Sequence, residues 1–248
     1  MKAPCVLVIR NDERFASLLR QGGFEVISLQ LISTESIENS SEVDERIARI
    51  QEYDGLFFTS PKAASAFVEH INKNGRGFDG KVYCLGERSR EILEKARFDV
   101  VISGANTAGE MINSFDDSEF VGKKFLFVRG NLSMRTIPEL LAGKSSVDEV
   151  VVYRTIELSP STAEIEKITG RLKAGEIDWI CFFSPSGVES FKKVFADLGE
   201  DTKVAVIGQT TAGKAREFGM NVQYISPKSN SEDLAMGLIE LKASRLNA

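Results

Sequence analysis

The chain has 248 residues, of which 42% are hydrophobic and 27% charged, and its formal net charge at pH 7 is -5. This length suits one large domain or two of ordinary size, and the composition is that of a soluble globular protein. The negative charge argues against a nucleic-acid partner, and no apolar run approaches the roughly 20 residues of a membrane span.

The amino terminus and the cysteines predict a cytoplasmic protein. The first residues enter an apolar strand-like run at once, without the layout of a signal peptide. Cys5, Cys84 and Cys181 each lie in such a run. We therefore expect buried, reduced thiols rather than a disulfide.

Apolar strand-like runs alternate with amphipathic segments along the whole chain. This alternation predicts parallel sheets built from right-handed β–α–β units. Strands are predicted at 5–9, 55–59, 81–85, 98–102, 124–128, 178–183, 203–207 and 221–225, with long extended stretches at 24–37 and 147–158. Helices are predicted before 22, from 41, over 61–72 and 87–96, around 108–115, around 137–141 with Ile137, Leu140 and Leu141 inward, from 161, after 185, after 209 and over 231–241.

An internal repeat organises these elements. Residues 56–67 align with 180–191, 81–86 with 203–208, and 98–103 with 220–226. The first copy continues into 125–131 and 150–153, whereas the second copy lacks these pieces, and their counterparts lie at 6–12 and 26–29. The fold class is therefore α/β, with two similar domains, each a parallel sheet flanked by helices in a flavodoxin-like repeat.

The repeat also predicts the domain boundaries. Domain one is discontinuous and comprises residues 1–34 and 157–248, and domain two is the insert 35–156. The chain crosses between them twice, near 29–37 and 152–158. Two extended crossings side by side predict a two-stranded connector, a hinge and a cleft between the domains.

Several short motifs have ordinary explanations. The G-x-G-x-x-G match at Gly75–Gly80 follows a helix, so it reads as a loop. Gly208–Lys214 is a near match to a phosphate-binding loop, but Ala215 stands where a Mg²⁺-binding hydroxyl belongs. His70, the single histidine, is expected on a helix surface. No cluster has metal-ligand spacing, so no metal site is expected.

Turns at the carboxyl ends of the predicted strands form the candidate binding site. Open α/β sheets bind ligands at these ends, and helix N-termini there favour anions. The turns are rich in glycine, hydroxyl and basic residues, although most turns of this kind are simply capped helix starts. The candidate substrate-binding residues are Arg10, Thr59, Ser60, Lys62, Gly86, Arg129, Gly130, Ser184, Ser186, Gly187, Gln209, Thr210 and Thr211.

The sequence resembles the uroporphyrinogen-III synthase family, most densely in its second half. The order and spacing of several short motifs carry the resemblance: Phe58-Thr59-Ser60-Pro61, Val152-Tyr153-Arg154-Thr155, Phe182 to Gly187, Ile207 to Ala212, and Ser226-Pro227. The resemblance implies a lyase without cofactor or metal. Its substrate would be hydroxymethylbilane, a polyanionic linear tetrapyrrole, closed with inversion of ring D and loss of water.

The resemblance also implies residue roles. Tyr153, in the matching Val-Tyr-x-Thr motif, would assist departure of the substrate hydroxyl, although a tyrosine packed at a strand edge is an equally ordinary interpretation. Thr210 and Thr211 match a threonine pair of the family. Lys62 stands where family members often have arginine, so the charge is kept without bidentate pairing.

Three functions remain open from the sequence. The first is the synthase, acting as a monomer and receiving substrate through transient contact with hydroxymethylbilane synthase. The second is a non-catalytic two-domain module that binds an anionic small molecule. The third is a nucleotide-using enzyme built on Gly208–Lys214.

Overall fold

Strands and helices alternate as predicted, in a computed structural model that describes residues 2–38, 40–199 and 201–246. In chain order the strands are β1 Cys5–Val8, β2 Glu25–Ser28, β3 Ile32–Ser36, β4 Gly55–Phe58, β5 Lys81–Cys84, β6 Asp99–Val101, β7 Lys124–Gly130, β8 Ser146–Glu157, β9 Trp179–Phe182, β10 Lys203–Val206 and β11 Val222–Ile225. The α-helices are α1 Glu13–Gln21, α2 Ser41–Ala48, α3 Pro61–Asn74, α4 Glu87–Lys95, α5 Ala108–Asn113, α6 Thr136–Leu140, α7 Thr162–Lys173, α8 Pro185–Val194, α9 Gln209–Glu217 and α10 Ser231–Leu246.

The chain divides into two compact units. Unit one comprises Met1–Ser33 and Glu157–Ala248, and unit two comprises Thr34–Ile156. One sheet has the strand order β11-β10-β9-β1-β2, and the other has the order β3-β8-β7-β4-β5-β6. Neighbouring strands pair in parallel throughout the first sheet and from β8 to β6 in the second.

The strand orders confirm the predicted repeat. Reading β11-β10-β9-β1-β2 against β6-β5-β4-β7-β8 matches every strand of the first sheet to its sequence counterpart. The amino-terminal end supplies β1 and β2, which correspond to β7 and β8. A sheet depends on which strands lie side by side rather than on their order along the chain, so the permuted copy builds the same sheet.

The predicted extended stretch over 24–37 contains two strands, β2 and β3. β2 ends in the first sheet, and β3 lies beside β8 in the second. The Ile37 N–H donates to the Val152 carbonyl at 3.0 Å, and the Leu158 N–H donates to the Leu31 carbonyl at 2.8 Å. The bonded positions run in opposite directions along the two segments, so this pair is antiparallel.

Both faces of each sheet are buried, which explains the continuous apolar strands. In β1, Cys5 and Leu7 join one core cluster while Val6 joins another. In β4, Phe58 and Phe57 divide in the same way. All three cysteines are free and buried, as predicted. Among the described residues, no helix is long and apolar enough to cross a membrane.

Two side-chain predictions were wrong. His70 is buried rather than on the surface of α3, and its Nε2 lies 2.6 Å from the Ile37 carbonyl oxygen. Leu140 was predicted to face inward with Ile137 and Leu141, but it is 39% exposed. The buried residues are Ile137 in the short helix α6 and Leu141 at its C-cap, which are four residues apart and so share one face.

Candidate active site

The register of the second sheet brings the predicted turns of unit two to one edge. Phe58 lies opposite both Cys84 and Val128 on the neighbouring strands. The residues that follow these three positions therefore emerge at the same end of the sheet. They include Thr59, Ser60, Gly86, Arg129 and Gly130, and Tyr153 lies opposite Gly130 on β8.

Ser60 joins the start of α3 to Tyr153. It is the N-cap of α3, with extended backbone angles, and its Oγ accepts from the Ala63 N–H at 3.2 Å. Pro61 occupies the first turn, where its missing N–H has no bonding role. The Oγ also lies 3.3 Å from the phenolic oxygen of Tyr153. Since the cap uses a lone pair of Ser60, its hydroxyl proton is available for the phenolic oxygen.

The side chain of Arg129 contacts other residues of unit two. Its Nε lies 3.0 Å from Oε2 of Glu149, out of line for a hydrogen bond, and its Nη1 donates to the Ser133 carbonyl at 2.7 Å. Glu149 is not among the predicted site residues. The register was the available signal: Glu149 lies opposite Phe127, and so lies diagonally from Arg129 on the same face.

Three helices lack an acidic residue in their first turn: α3, α8 and α9. Every other α-helix in the described part of the chain has one. An acidic side chain there would neutralise the positive end of the helix dipole. These three starts are therefore open to an external anion, and α3 even carries Lys62 there. Gly86 differs, because Glu87 follows it at the start of α4.

In unit one, the turn before α8 is an ordered cap. The Ser184 Oγ accepts from the Gly187 N–H at 3.1 Å and lies 3.1 Å from the Ser186 Oγ. Both serines are half-buried, and Gly187 is buried. The amide of Gly187 is thus already bonded, and the turn also presents the hydroxyls of the two serines.

Arg10 lies beside this turn. Its guanidinium carbon is 5.2 Å from the ring centre of Phe183, the residue before Ser184. Its Nε is 3.6 Å from the Asp12 carboxylate, and the side chain is half exposed. A loosely paired, exposed arginine next to an acid-free helix start suits a carboxylate ligand.

The two threonines predicted for the turn before α9 differ in their exposure. Gln209 and Thr210 are exposed, whereas Thr211 is only 2% exposed. Lys214 is 2.7 Å from the Glu217 carboxylate and 3.2 Å from that of Glu189, and these contacts raise its pKa. A lysine held by two carboxylates is poorly placed for a phosphate, so these contacts argue against the nucleotide hypothesis.

A cavity of about 490 Å³ lies away from all these turns. It is at the amino-terminal end of the first sheet and is lined by Pro4, Trp179 and Lys203, among others. Ligands of open parallel sheets bind at the opposite, carboxyl end. We therefore place the candidate site at the turns rather than in this cavity. No group of three potential metal ligands occurs in 2–38, 40–199 or 201–246.

A family model described as "Uroporphyrinogen-III synthase HemD" matches residues 13–236. A uroporphyrinogen-III synthase from Chlorobaculum parvum is 28% identical over 95% of this chain and 98% of its own length. A second, from Schizosaccharomyces pombe, is 26% identical over 75% of each chain.

A solved structure supports the fold. It is a mutant uroporphyrinogen III synthase from Thermus thermophilus, with a TM-score of 0.75 and 16% identity, covering 98% of this chain and 100% of the other. At that identity the match supports the two-domain α/β architecture alone.

Proposed function

We propose, because this chain belongs to the uroporphyrinogen-III synthase family, that it converts hydroxymethylbilane to uroporphyrinogen III. The reaction closes the linear tetrapyrrole with inversion of ring D and loss of water, and the enzyme is a cyclising lyase of haem biosynthesis. The observation that carries the assignment is the family-model match over residues 13–236.

The chemistry needs little from the protein. The C–O bond of the hydroxymethyl group breaks as the oxygen takes a proton and leaves as water. The azafulvenium cation that remains is attacked by ring D to give a spiro intermediate. The protein must assist that departure, stabilise the cation and hold the chain so that the inverting attack precedes simple closure.

Tyr153 is our candidate to protonate the departing hydroxyl. If Ser60 donates its proton to the phenolic oxygen at 3.3 Å, the phenolic proton stays directed to the substrate. This arrangement also leaves a hydrogen bond to the phenolic oxygen once the proton has been transferred, which stabilises the phenolate that forms.

The acid-free helix starts are our candidates to bind the substrate carboxylates. Ser184, Ser186 and Arg10 serve this role in unit one, together with Gln209 and Thr210. In unit two we assign it to Thr59 and Lys62 at the start of α3. Hydroxyls, single cations and helix dipoles bind carboxylates one by one, without a strongly basic surface.

Three further properties belong to the proposal. The enzyme has two domains, the discontinuous one of residues 1–34 and 157–248 and the inserted one of residues 35–156, and both contribute substrate-binding turns. The enzyme works as a cytoplasmic monomer, and it takes its unstable substrate through transient contact with hydroxymethylbilane synthase. Light scattering of the purified protein tests the monomer directly.

The decisive experiment is an isomer assay. The protein is incubated with freshly made hydroxymethylbilane, the products are oxidised, and the uroporphyrin isomers are separated by chromatography. We expect predominantly type III, against type I in a blank without protein. Tight binding of the bilane with only type I formed would overturn the proposal in favour of a non-catalytic binding module.

A further inference from the structure

The regular pairing of β7 and β8 breaks next to Tyr153. Arg129 lies opposite Val151, but the next residue, Gly130, lies opposite Tyr153 rather than Val152. Val152 is fully buried in a core cluster of unit two, and Tyr153 packs against that same cluster. Consecutive strand residues normally point to opposite faces, so this irregularity redirects the Tyr153 side chain.

The phenol of Tyr153 lies where a side chain of residue 130 would be. A Cβ built on Gly130 would be 2.6 Å from the phenolic oxygen and 2.7 Å from Cε2, and closer still to Cζ. These separations are far below van der Waals contact. Gly130 does not have a positive φ, so its own backbone conformation does not require glycine. Position 130 requires glycine because the ring of Tyr153 occupies the space of a side chain.

The turn after β7 holds the backbone around Tyr153 in place. The Asn131 N–H donates to the Tyr153 carbonyl at 3.2 Å, and the Thr155 N–H donates to the Asn131 Oδ1 at 2.8 Å. The Gly130 N–H donates to the Ser133 Oγ at 3.1 Å. With the backbone fixed on both strands, a Cβ at position 130 has to displace the phenol itself.

We infer that Gly130 is a positioning residue, whose missing side chain sets the phenol of Tyr153 against Ser60. This role replaces the substrate contact predicted for Gly130, whose buried amide is already bonded to Ser133. The inference rests on the proposed function for its effect on the rate, but its steric part does not depend on any activity.

A kinetic comparison tests the effect on the reaction. Gly130→Ala should lower kcat about tenfold or more, within the range of a misplaced general acid, with KM changed less than about threefold. The control is Gly77→Ala, an exposed position of the same unit where a Cβ meets no atom within 4 Å. Gly77→Ala should keep the wild-type kcat.

The double variant Gly130→Ala/Tyr153→Phe separates positioning from a general disturbance. If Gly130 acts through the phenol, this variant should be no slower than Tyr153→Phe alone. The inference is overturned if the two kcat losses multiply in the double variant, or if Gly130→Ala keeps the wild-type kcat. Should the wild-type protein form only type I isomer, the proposed function fails, and the steric test below still applies.

Thermal unfolding tests the steric part without substrate. Gly130→Ala should lower the melting temperature in the presence of the Tyr153 ring, or shift the ring and leave the temperature unchanged. A structure of the variant separates these two results, and both support the inference. In the Tyr153→Ala background, Gly130→Ala should have no effect on stability. The inference would be overturned by an equal loss of stability in both backgrounds together with an unmoved Tyr153 ring in the Gly130→Ala single variant.

Discussion

The phenolic oxygen of Tyr153 lies 3.3 Å from the Oγ of Ser60, so one hydroxyl pair joins a strand residue to a helix cap. Ser60 is fixed by its capping bond to Ala63, and Tyr153 is confined by Gly130. The phenol is therefore held by groups on two different elements of unit two. This preorganisation is what a proton donor requires.

Removing the phenolic hydroxyl should slow the reaction. Tyr153→Phe should lower kcat about tenfold or more, because loss of a general acid removes roughly that much rate. The measurement is the initial rate of type III formation. Tyr224→Phe is the matched control, since it deletes a phenol of unit one that lies 3.5 Å from the Asp233 carbonyl. An unchanged kcat in Tyr153→Phe would remove this residue from the assigned role.

The cap and the hydrogen bond of Ser60 can be tested apart. Ser60→Ala should reduce stability by about 1 kcal/mol, as for other lost N-caps, and should also lower kcat. Ser161→Ala deletes the cap of α7, a helix of unit one, and should reduce stability without lowering kcat. Ser60→Thr keeps the hydroxyl and should recover most of the rate. Equal kinetics for the two alanine variants would contradict the assignment.

Lys62 should contribute to substrate affinity. Lys62→Met should raise KM with little change in kcat, because it removes a charge that acts on bound substrate throughout the reaction. Lys62→Arg should retain a low KM, since the charge is preserved and bidentate pairing becomes available. Steady-state kinetics with the three proteins measures this. A fall in kcat at constant KM would assign Lys62 to the reacting centre instead.

Lys214 should be dispensable. It is held by Glu189 and Glu217 at the surface of α9, so Lys214→Ala should leave the rate of type III formation unchanged. Calorimetry with ATP and Mg²⁺ should detect no binding to either protein. Binding of ATP that disappears in Lys214→Ala would revive the nucleotide hypothesis.

The buried thiols should make the fold sensitive to alkali. Burial raises the pKa of Cys84 from 9.0 to about 11, so the unfolded chain ionises this thiol at lower pH than the folded chain does. Its contribution to stability is therefore complete below about pH 9 and is lost as the pH rises from about 9 to about 11.

Urea unfolding across that pH range measures the effect. The unfolding free energy of the wild type should fall more steeply with pH than that of Cys84→Ala, by at most ~1.4 kcal/mol per pH unit. Below pH 9 the two curves should run parallel, since neither state ionises the thiol. Parallel curves throughout the alkaline range would show that the pKa of this thiol is the same in the folded and unfolded states.

Alternating hydrophobic patterns and an internal repeat predicted most of the fold. The repeat predicted that the amino-terminal end supplies the counterparts of β7 and β8 to the sheet of the carboxyl-terminal half, and the strand orders confirm it. The caps at Ser60 and Ser184 were also predictable from the sequence. Serine accepts a hydrogen bond from a free N–H of the first helical turn, and the proline after it has no N–H to satisfy. The roles assigned to the site residues stay predictions.

What the sequence determined by itself was the class of fold, the permuted repeat and the turns that end its strands, because periodicity and capping are local properties of the chain. Tertiary structure decided the partners. It buried His70 against Ile37, paired Arg129 with Glu149, and set Gly130 beneath Tyr153 through a break in strand register. Such contacts depend on how distant strands align to the residue, which no local pattern encodes.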